Sequence, residues 1–208
     1  MRNKMFIAFA LCAAFSAGLL AGRSWQSPRG SFHDLIVNHP DDIRDLVAPN
    51  DGRVRKLAAA LETPENAFLH VRDQIAFDPS LAAGTAGEII DEGRTSCLGK
   101  AILLCSLYRA MGIPASDVRI VTGELAYTDA VVDHAWVDME YEGVCLQQDA
   151  TDLIGRFSFG QFRNMEYARS YVRKEWYTFN DKDFVIVSQM NMLKGMGHPP
   201  VGQNEQDH

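Results

Sequence analysis

The sequence lacks the features that mark several classes of protein. Its four cysteines show no metal-ligand spacing, and it contains neither a phosphate-binding loop nor an internal repeat. No dense basic run follows the N-terminus, and the net charge is −7, which argues against a nucleic-acid-binding surface. We therefore predict no metal, no cofactor and no nucleic-acid partner.

The rest of the composition is ordinary for a globular protein. The chain has 208 residues, of which 47% are apolar and 23% are charged. This length suits one domain with a sizeable core, plus ends. We predict a folded domain over 51–190, after a linker or approach segment over 24–50. The tail over 191–208 is rich in Gly, Pro, Gln and charge, which predicts disorder.

The N-terminus has the layout of a targeting signal. Arg2 and Lys4 precede an uncharged apolar run over 5–21, after which comes Arg23. This order is typical of a secretory signal peptide or a short signal anchor, more than of a buried core helix. The run is at the lower limit for spanning a bilayer. We assign 1–23 this role and expect an extracytoplasmic protein, periplasmic or secreted, that is held at the membrane if the run is not cleaved.

Apolar spacing and capping signals predict helices in the first half of the chain and strands in the second. Thr63 before Pro64 marks one helix start, and Thr85 with Glu88 fits a capping box. The predicted helices cover 54–61, 64–76, 86–92 and 97–111, and the predicted strands cover 118–121, 130–140, 144–150, 171–179 and 183–187. Residues 155–187 show no pattern beyond an extension of the sheet.

Cys97 lies in the first turn of the last predicted helix. A thiol attacks a carbonyl carbon only as the thiolate. The N-terminus of a helix favours that anion through its unpaired N–H groups and its dipole. The backbone N–H of Cys97 is also a natural donor to an oxyanion. We expect Thr95 or Ser96 to cap the same turn.

His134 and Asp149 are the candidate partners of this thiol. A two-residue turn at 142–143 would place His134 diagonal to Asp149, and one at 141–142 would place them directly opposite. Both registers put the two side chains on the polar face of the hairpin, whereas a three-residue loop would separate them. His134 could then act as general base and acid, with Asp149 as the group that orients it.

Three ordered motifs resemble the transglutaminase-like (transglutaminase core) superfamily. They are the glycine-led turn and helix start over 93–101, the strand segment over 134–138 and the segment over 148–151. The helix end over 107–115 and the stretch over 75–79 are also similar to the family, so the resemblance covers about 54–152. Ala150, where the family usually has Pro, and Ser96, where a small apolar residue or Gly is common, depart from its pattern.

The resemblance implies an α+β, papain-like fold with the cysteine-bearing helix packed on an antiparallel sheet. It also implies that Cys97 is the nucleophile, His134 the base and acid, and Asp149 the orienting group. Such an enzyme acts on peptide or protein amide bonds through a thioester, as a hydrolase (peptidase or amidase) or as an acyl-transferring cross-linker. A processing protease with one cell-surface substrate and a non-catalytic binding domain are the other hypotheses.

Three more residues have two interpretations each. Trp136 either lines the substrate cleft or packs against the cysteine helix. Cys105 and Cys145 lie about 12 and 13 Å from the predicted site along a helix and a strand, so they could form a disulfide or remain two buried thiols. Three cysteines follow the targeting segment, and this odd number predicts at least one free thiol in an oxidising compartment.

Overall fold

The computed structural model describes residues 40–187. The predictions for 1–23, for most of 24–50 and for 191–208 therefore lie outside the described residues. The helices are α1 (Pro40–Arg44), α2 (Gly52–Leu61), α3 (Pro64–Gln74), α4 (Ala86–Glu92), α5 (Cys97–Ala110) and α6 (Glu166–Ser170), with a 3₁₀ turn at Ala115–Asp117. The strands are β1 (Ala76–Phe77), β2 (Arg94–Thr95), β3 (Val118–Tyr127), β4 (Ala130–Tyr141), β5 (Val144–Gln148), β6 (Phe162–Arg163), β7 (Val172–Phe179) and β8 (Phe184–Ile186).

The starts of α3 and α4 follow the capping signals of the sequence. The Thr63 side chain accepts a hydrogen bond from the Asn66 N–H, with Pro64 in the first turn of α3. Thr85 and Glu88 form the predicted capping box of α4. Gly93 ends α4 in the left-handed conformation (φ 66°), which glycine adopts without steric cost.

Six strands form one sheet in the order β6-β5-β4-β3-β7-β8, and every neighbouring pair is antiparallel. Helix α5 packs against β3 and β4, the two central strands. The helices precede most of the sheet in the chain, so the architecture is α+β, and the predicted fold class is confirmed. β1 and β2 form a separate, short parallel pair, and α5 begins two residues after β2 ends.

The two faces of the large sheet have different covers. Helix α5 is buried along most of its length and packs on the apolar face, where Val137, Met139 and Leu146 lie. The opposite face carries Trp136 beneath an aromatic cluster contributed by β6, α6 and the loop before them: Phe157, Phe162, Tyr167 and Tyr171. Residues 155–187 thus extend the sheet, as predicted, and also cover its polar face.

The segment before α2 belongs to the same core. Ile43 and Val47 are buried there, and the Ala86 N–H donates a hydrogen bond to the Leu46 carbonyl. The fold therefore starts before residue 51, inside the predicted approach segment. Within residues 40–187, no helix is both long enough and apolar enough to cross a membrane.

Candidate active site

Cys97 is the first residue of α5 and is half-buried. Ser96 occupies the N-cap position, but its hydroxyl makes no capping hydrogen bond, so that part of the capping prediction is wrong. The N-cap side chain therefore does not compete for the N–H groups of the first turn. Thr95 lies in β2, where its backbone carbonyl accepts a hydrogen bond from the Asp78 N–H.

A glycine in the first turn of α5 allows a close approach of β2. A Cβ atom on Gly99 would lie 1.9 Å from Oγ1 of Thr95, and Thr95 is itself buried. Only glycine fits this position without a shift of the strand or the helix. The position of Cys97 thus depends on the contact between β2 and the first turn of α5.

His134 and Asp149 meet at the end of the β4–β5 hairpin. Tyr141 pairs with Val144, so the turn consists of two residues, Glu142 and Gly143, both with positive φ. Of the two registers that the sequence allows, this is the one that puts His134 diagonal to Asp149. Nε2 of His134 lies 2.9 Å from Oδ2 of Asp149, and both side chains are fully buried.

The second ring nitrogen of His134 is the one available to the thiol. Among the described residues, Nδ1 is buried without a hydrogen bond of standard geometry. Burial alone would lower the pKa of His134, but the charge and hydrogen bond of Asp149, with a contribution from the nearby Cys97, raise this pKa well above its ordinary value. The buried carboxylate of Asp149 therefore favours the imidazolium form of His134, beside Cys97.

The Asp149 carboxylate uses both oxygens. Oδ1 accepts hydrogen bonds from the Thr151 N–H (2.9 Å) and the Thr151 hydroxyl (2.8 Å). Oδ2 accepts from His134 and from the hydroxyl of Tyr167 (3.0 Å). Asp149 thus uses Oδ1 to cap the local turn at Thr151 and Oδ2 to orient His134. Burial by itself would raise the pKa of Asp149, but the charge and hydrogen bond of His134, together with the hydrogen bonds from Thr151, hold this pKa below its ordinary value.

Lys100 is a site residue that sequence reasoning missed. It lies three residues after Cys97 and is 98% buried, since its exposed fraction is 2%. Its Nζ donates to the carbonyl of Arg72 at the end of α3 (3.1 Å) and to that of Ala150, next to Asp149 (3.0 Å). Burial lowers the pKa of this ammonium group. A signal existed, because Lys100 is the one charged residue in the stretch from Cys97 to Tyr108.

Tyr167 is the second residue that the sequence did not reveal. It comes from α6, in a part of the chain where no motif was found, and it reaches Asp149 from 18 residues further along. Only the packing of the aromatic cluster brings the two side chains together. Sequence spacing carries no signal for such a contact.

Trp136 lies on the polar face but not in an open cleft. It is 1% exposed, its indole N–H donates to Oδ1 of Asp138 (3.1 Å), and its ring packs against Tyr167 with centroids 5.6 Å apart. Neither interpretation of the sequence describes this position, because the residue faces away from α5 and away from solvent. The predicted substrate-binding role of Trp136 does not fit its burial.

Cys105 and Cys145 are separate free thiols, so the predicted disulfide is wrong. Cys105 lies on α5 in the core cluster that also contains Leu146. Neighbouring residues of a strand point to opposite faces, so Cys145 points to the polar face, where it borders a small cavity of about 80 Å³ with Asp138. The sheet itself lies between the two thiols. Burial raises the pKa of both.

The site contains no cluster suited to a metal ion. Within residues 40–187, no group of three or more His, Cys, Asp or Glu side chains is arranged to hold one.

One family model and several solved structures are similar to this chain. The model of the transglutaminase-like superfamily matches residues 50–149. Calcium-bound LapG of Legionella pneumophila gives a TM-score of 0.45 at 19% identity, over 71% of this chain and 87% of that chain. A second LapG structure of the same organism gives a TM-score of 0.46 at 18% identity, and the match covers 75% of this chain and 92% of that chain. A candidate cysteine protease of Cytophaga hutchinsonii gives a TM-score of 0.45 at 18% identity, and the match covers 77% of this chain and 57% of that chain. A comparison with curated proteins gives no match.

Proposed function

We propose that this protein is a thiol hydrolase of the transglutaminase-like superfamily, whose model matches residues 50–149, and that it acts on peptide or protein amide bonds. The observation that carries the proposal is the buried hydrogen bond between His134 and Asp149, set beside a cysteine that starts a helix. A fold alone does not establish an activity. The side chains at this site supply a nucleophile, a base and an orienting group, which is a complete set for acyl transfer.

In the proposed reaction, the Cys97 thiol has already given its proton to Nδ1 of His134, so the resting site holds a thiolate beside an imidazolium. The thiolate attacks the amide carbon, and the C–S bond forms as the carbonyl π electrons move to oxygen. The backbone N–H of Cys97, the first residue of α5, would donate to that oxyanion. His134 then returns its proton to the departing nitrogen, the C–N bond breaks, and a thioester remains.

Water completes the cycle. Neutral His134 removes a proton from a water molecule, the resulting hydroxide attacks the thioester carbon, and the C–S bond breaks. The released thiolate and the newly protonated His134 restore the resting pair, and the acid product leaves. Asp149 stays ionised throughout, because the charge of His134 and its hydrogen bonds hold its pKa below the ordinary value. It stabilises each imidazolium stage.

The test of the hydrolase proposal compares acceptors. Purified protein is incubated with a peptide library in H₂¹⁸O, with and without a primary alkyl amine, and the products are analysed by mass spectrometry. Hydrolysis predicts new C-termini carrying ¹⁸O that disappear with Cys97→Ala and persist with Cys145→Ala. Products that carry the amine in place of ¹⁸O would instead establish an acyl-transferring cross-linker. Identical peptide patterns for wild type and Cys97→Ala would indicate a non-catalytic binding domain.

The proposal includes an extracytoplasmic location. Arg2 and Lys4 before the apolar run over 5–21 support export, so the substrate would be a protein or peptide outside the cytoplasm. Fusion of residues 1–50 to alkaline phosphatase, which is active only after export, tests this. Export predicts that the wild-type fusion is active and that the activity is lost when three Asp residues are introduced into 5–21. An inactive wild-type fusion would contradict export.

The substrate itself can be sought in cells. Comparison of the surface and secreted proteomes of cells with wild type and with Cys97→Ala should show one or more proteins whose termini differ. A single affected protein would favour a processing protease with a narrow substrate range. Many affected proteins would favour a general peptidase.

A further inference from the structure

We propose that Tyr167 is a positioning residue of this site, whose hydroxyl fixes the Asp149 carboxylate in the orientation that holds His134. The inference rests on the proposed function, since it assigns Tyr167 a part in the same acid–base machinery. Tyr167 does not touch the reacting atoms, and it acts through Asp149.

The first support is the sharing of one oxygen atom. Oδ2 of Asp149 accepts from Nε2 of His134 at 2.9 Å and from the Tyr167 hydroxyl at 3.0 Å. Oδ1 is held by the N–H and the hydroxyl of Thr151. Rotation of the carboxylate about its Cβ–Cγ bond would break hydrogen bonds at both oxygens. Without Tyr167, Thr151 would hold Oδ1, but Oδ2 would have no partner other than His134, the residue that Asp149 has to orient.

The second support is the direction of the hydrogen bond between Tyr167 and Asp149. Tyr167 is fully buried, and burial, followed by the negative charge of Asp149, raises the pKa of its hydroxyl far above the ordinary value. Tyr167 therefore stays neutral through the pH range in which proteins work. Because an ionised carboxylate only accepts, the Tyr167 hydroxyl is always the donor in this pair.

The third support is the rigidity of the tyrosine. Its ring packs edge-on to Phe162 at 5.2 Å and near Tyr171 at 5.5 Å. It also packs against Trp136 at 5.6 Å, and Trp136 lies on β4 two residues after His134. The aromatic cluster thus links α6 to the strand that carries the histidine. A donor fixed in this way can hold the carboxylate in one orientation, as a supporting shell does for other active-site groups.

The hydroxyl and the ring of Tyr167 can be separated by mutation. Tyr167→Phe keeps the ring and removes the donor. Tyr171→Phe is the matched control, because Tyr171 belongs to the same cluster but makes no hydrogen bond to Asp149. A purely structural role of the cluster predicts similar effects of the two substitutions on the site.

The test measures the rate at which iodoacetamide alkylates Cys97, together with the NMR signal of the His134 Nε2 proton. We expect Tyr167→Phe to slow alkylation by about tenfold, the scale of one hydrogen bond to a charged group. Tyr171→Phe should stay within about twofold of wild type on the same scale. The Nε2 proton signal should broaden in Tyr167→Phe, because the loosened pair exchanges with solvent faster, and should stay sharp in Tyr171→Phe.

Several outcomes separate this inference from the proposed function. A wild-type rate and an unchanged Nε2 signal in Tyr167→Phe would overturn the positioning role, even if His134→Ala abolishes the reactivity of Cys97. If Cys97 is unreactive in wild type, the proposed function fails, and the Nε2 signal still decides the role of Tyr167. Should Tyr167→Phe fail to fold, replacement of Tyr167 by 4-aminophenylalanine keeps a donor. A sharp Nε2 signal in that protein would support the proposal, and a broadened one would contradict it.

Discussion

His134 and Asp149 form a fully buried pair, with Nε2 of the imidazole 2.9 Å from Oδ2 of the carboxylate. A buried charge is unfavourable unless a partner compensates it. Here the imidazolium and the carboxylate compensate each other, and Thr151 and Tyr167 satisfy the remaining acceptor positions of Asp149. The pair therefore controls the protonation of the site, and each member depends on the other.

The pKa of His134 should fall when Asp149 is neutralised. Asp149→Asn keeps the shape of the side chain and removes its charge, so the burial that lowers the pKa of His134 would no longer be opposed by a carboxylate. NMR titration of the His134 ring should show an imidazolium that persists above pH 7 in wild type. In Asp149→Asn, the ring should titrate below the ordinary value of 6.5. Equal titration curves would show that Asp149 does not govern His134.

The same pair should stabilise the fold in a defined pH window. The raised pKa of His134 contributes stability that is fully present below 6.5 and is lost as the pH rises through the folded-state value. The lowered pKa of Asp149 contributes stability that is present above 3.8 and is lost as the pH falls through the folded-state value. Urea unfolding of wild type and Asp149→Asn should therefore differ most between pH 3.8 and 6.5. A difference that grows steadily above pH 8 would contradict this assignment.

Gly99→Ala should destabilise the start of α5, although alanine is the better helix former. The new Cβ would lie 1.9 Å from Oγ1 of buried Thr95, so β2 or the helix must shift. Overpacking of this kind costs about 1–3 kcal/mol. Gly52→Ala, in α2, is the control, because a Cβ there meets nothing within 4 Å. Urea unfolding should show a loss of stability for Gly99→Ala alone, and Thr95→Ala in the same chain should recover part of it.

Lys100→Met tests the buried ammonium group. The substitution removes a charge that burial disfavours. It also removes the hydrogen-bond donor of two backbone carbonyls, those of Ala150 and Arg72. We expect the loss of these hydrogen bonds to outweigh the removal of the charge, and the free energy of unfolding to fall by about 1–3 kcal/mol. Lys182→Met is the control, since the Lys182 side chain is 65% exposed. Equal or higher stability of Lys100→Met in urea would mean that desolvation of the charge outweighs the two hydrogen bonds.

Local signals in the sequence were enough to predict the starts of α3 and α4 and the hairpin. Thr63 with Pro64, the Thr85–Glu88 box and Gly93 have the residue types that caps require, so these boundaries could be read directly. The alternation of β4 and β5 placed His134 and Asp149 on one face. Two registers remained open, because alternation alone is compatible with a two-residue turn at 141–142 or at 142–143, and the structure selects the turn at 142–143.

Long-range contacts could not be predicted in the same way. Tyr167 reaches Asp149 because α6 packs on the polar face of the sheet. Lys100 reaches the Arg72 carbonyl, 28 residues away, because α5 packs against α3. The predicted disulfide failed for the same reason. Distances of Cys105 and Cys145 from the site along their own elements carry no information about which face of the sheet each thiol occupies.

The central claim is that His134 activates Cys97, and thiol reactivity tests it most directly. Alkylation by iodoacetamide near pH 7, followed by mass spectrometry of each cysteine peptide, compares Cys97 with Cys145, which is also half-buried. We predict that Cys97 reacts fastest and that His134→Ala slows it by at least about tenfold, while Cys145 keeps its wild-type rate. Equal rates for the two cysteines in wild type, or a Cys97 rate unaffected by His134→Ala, would contradict the account.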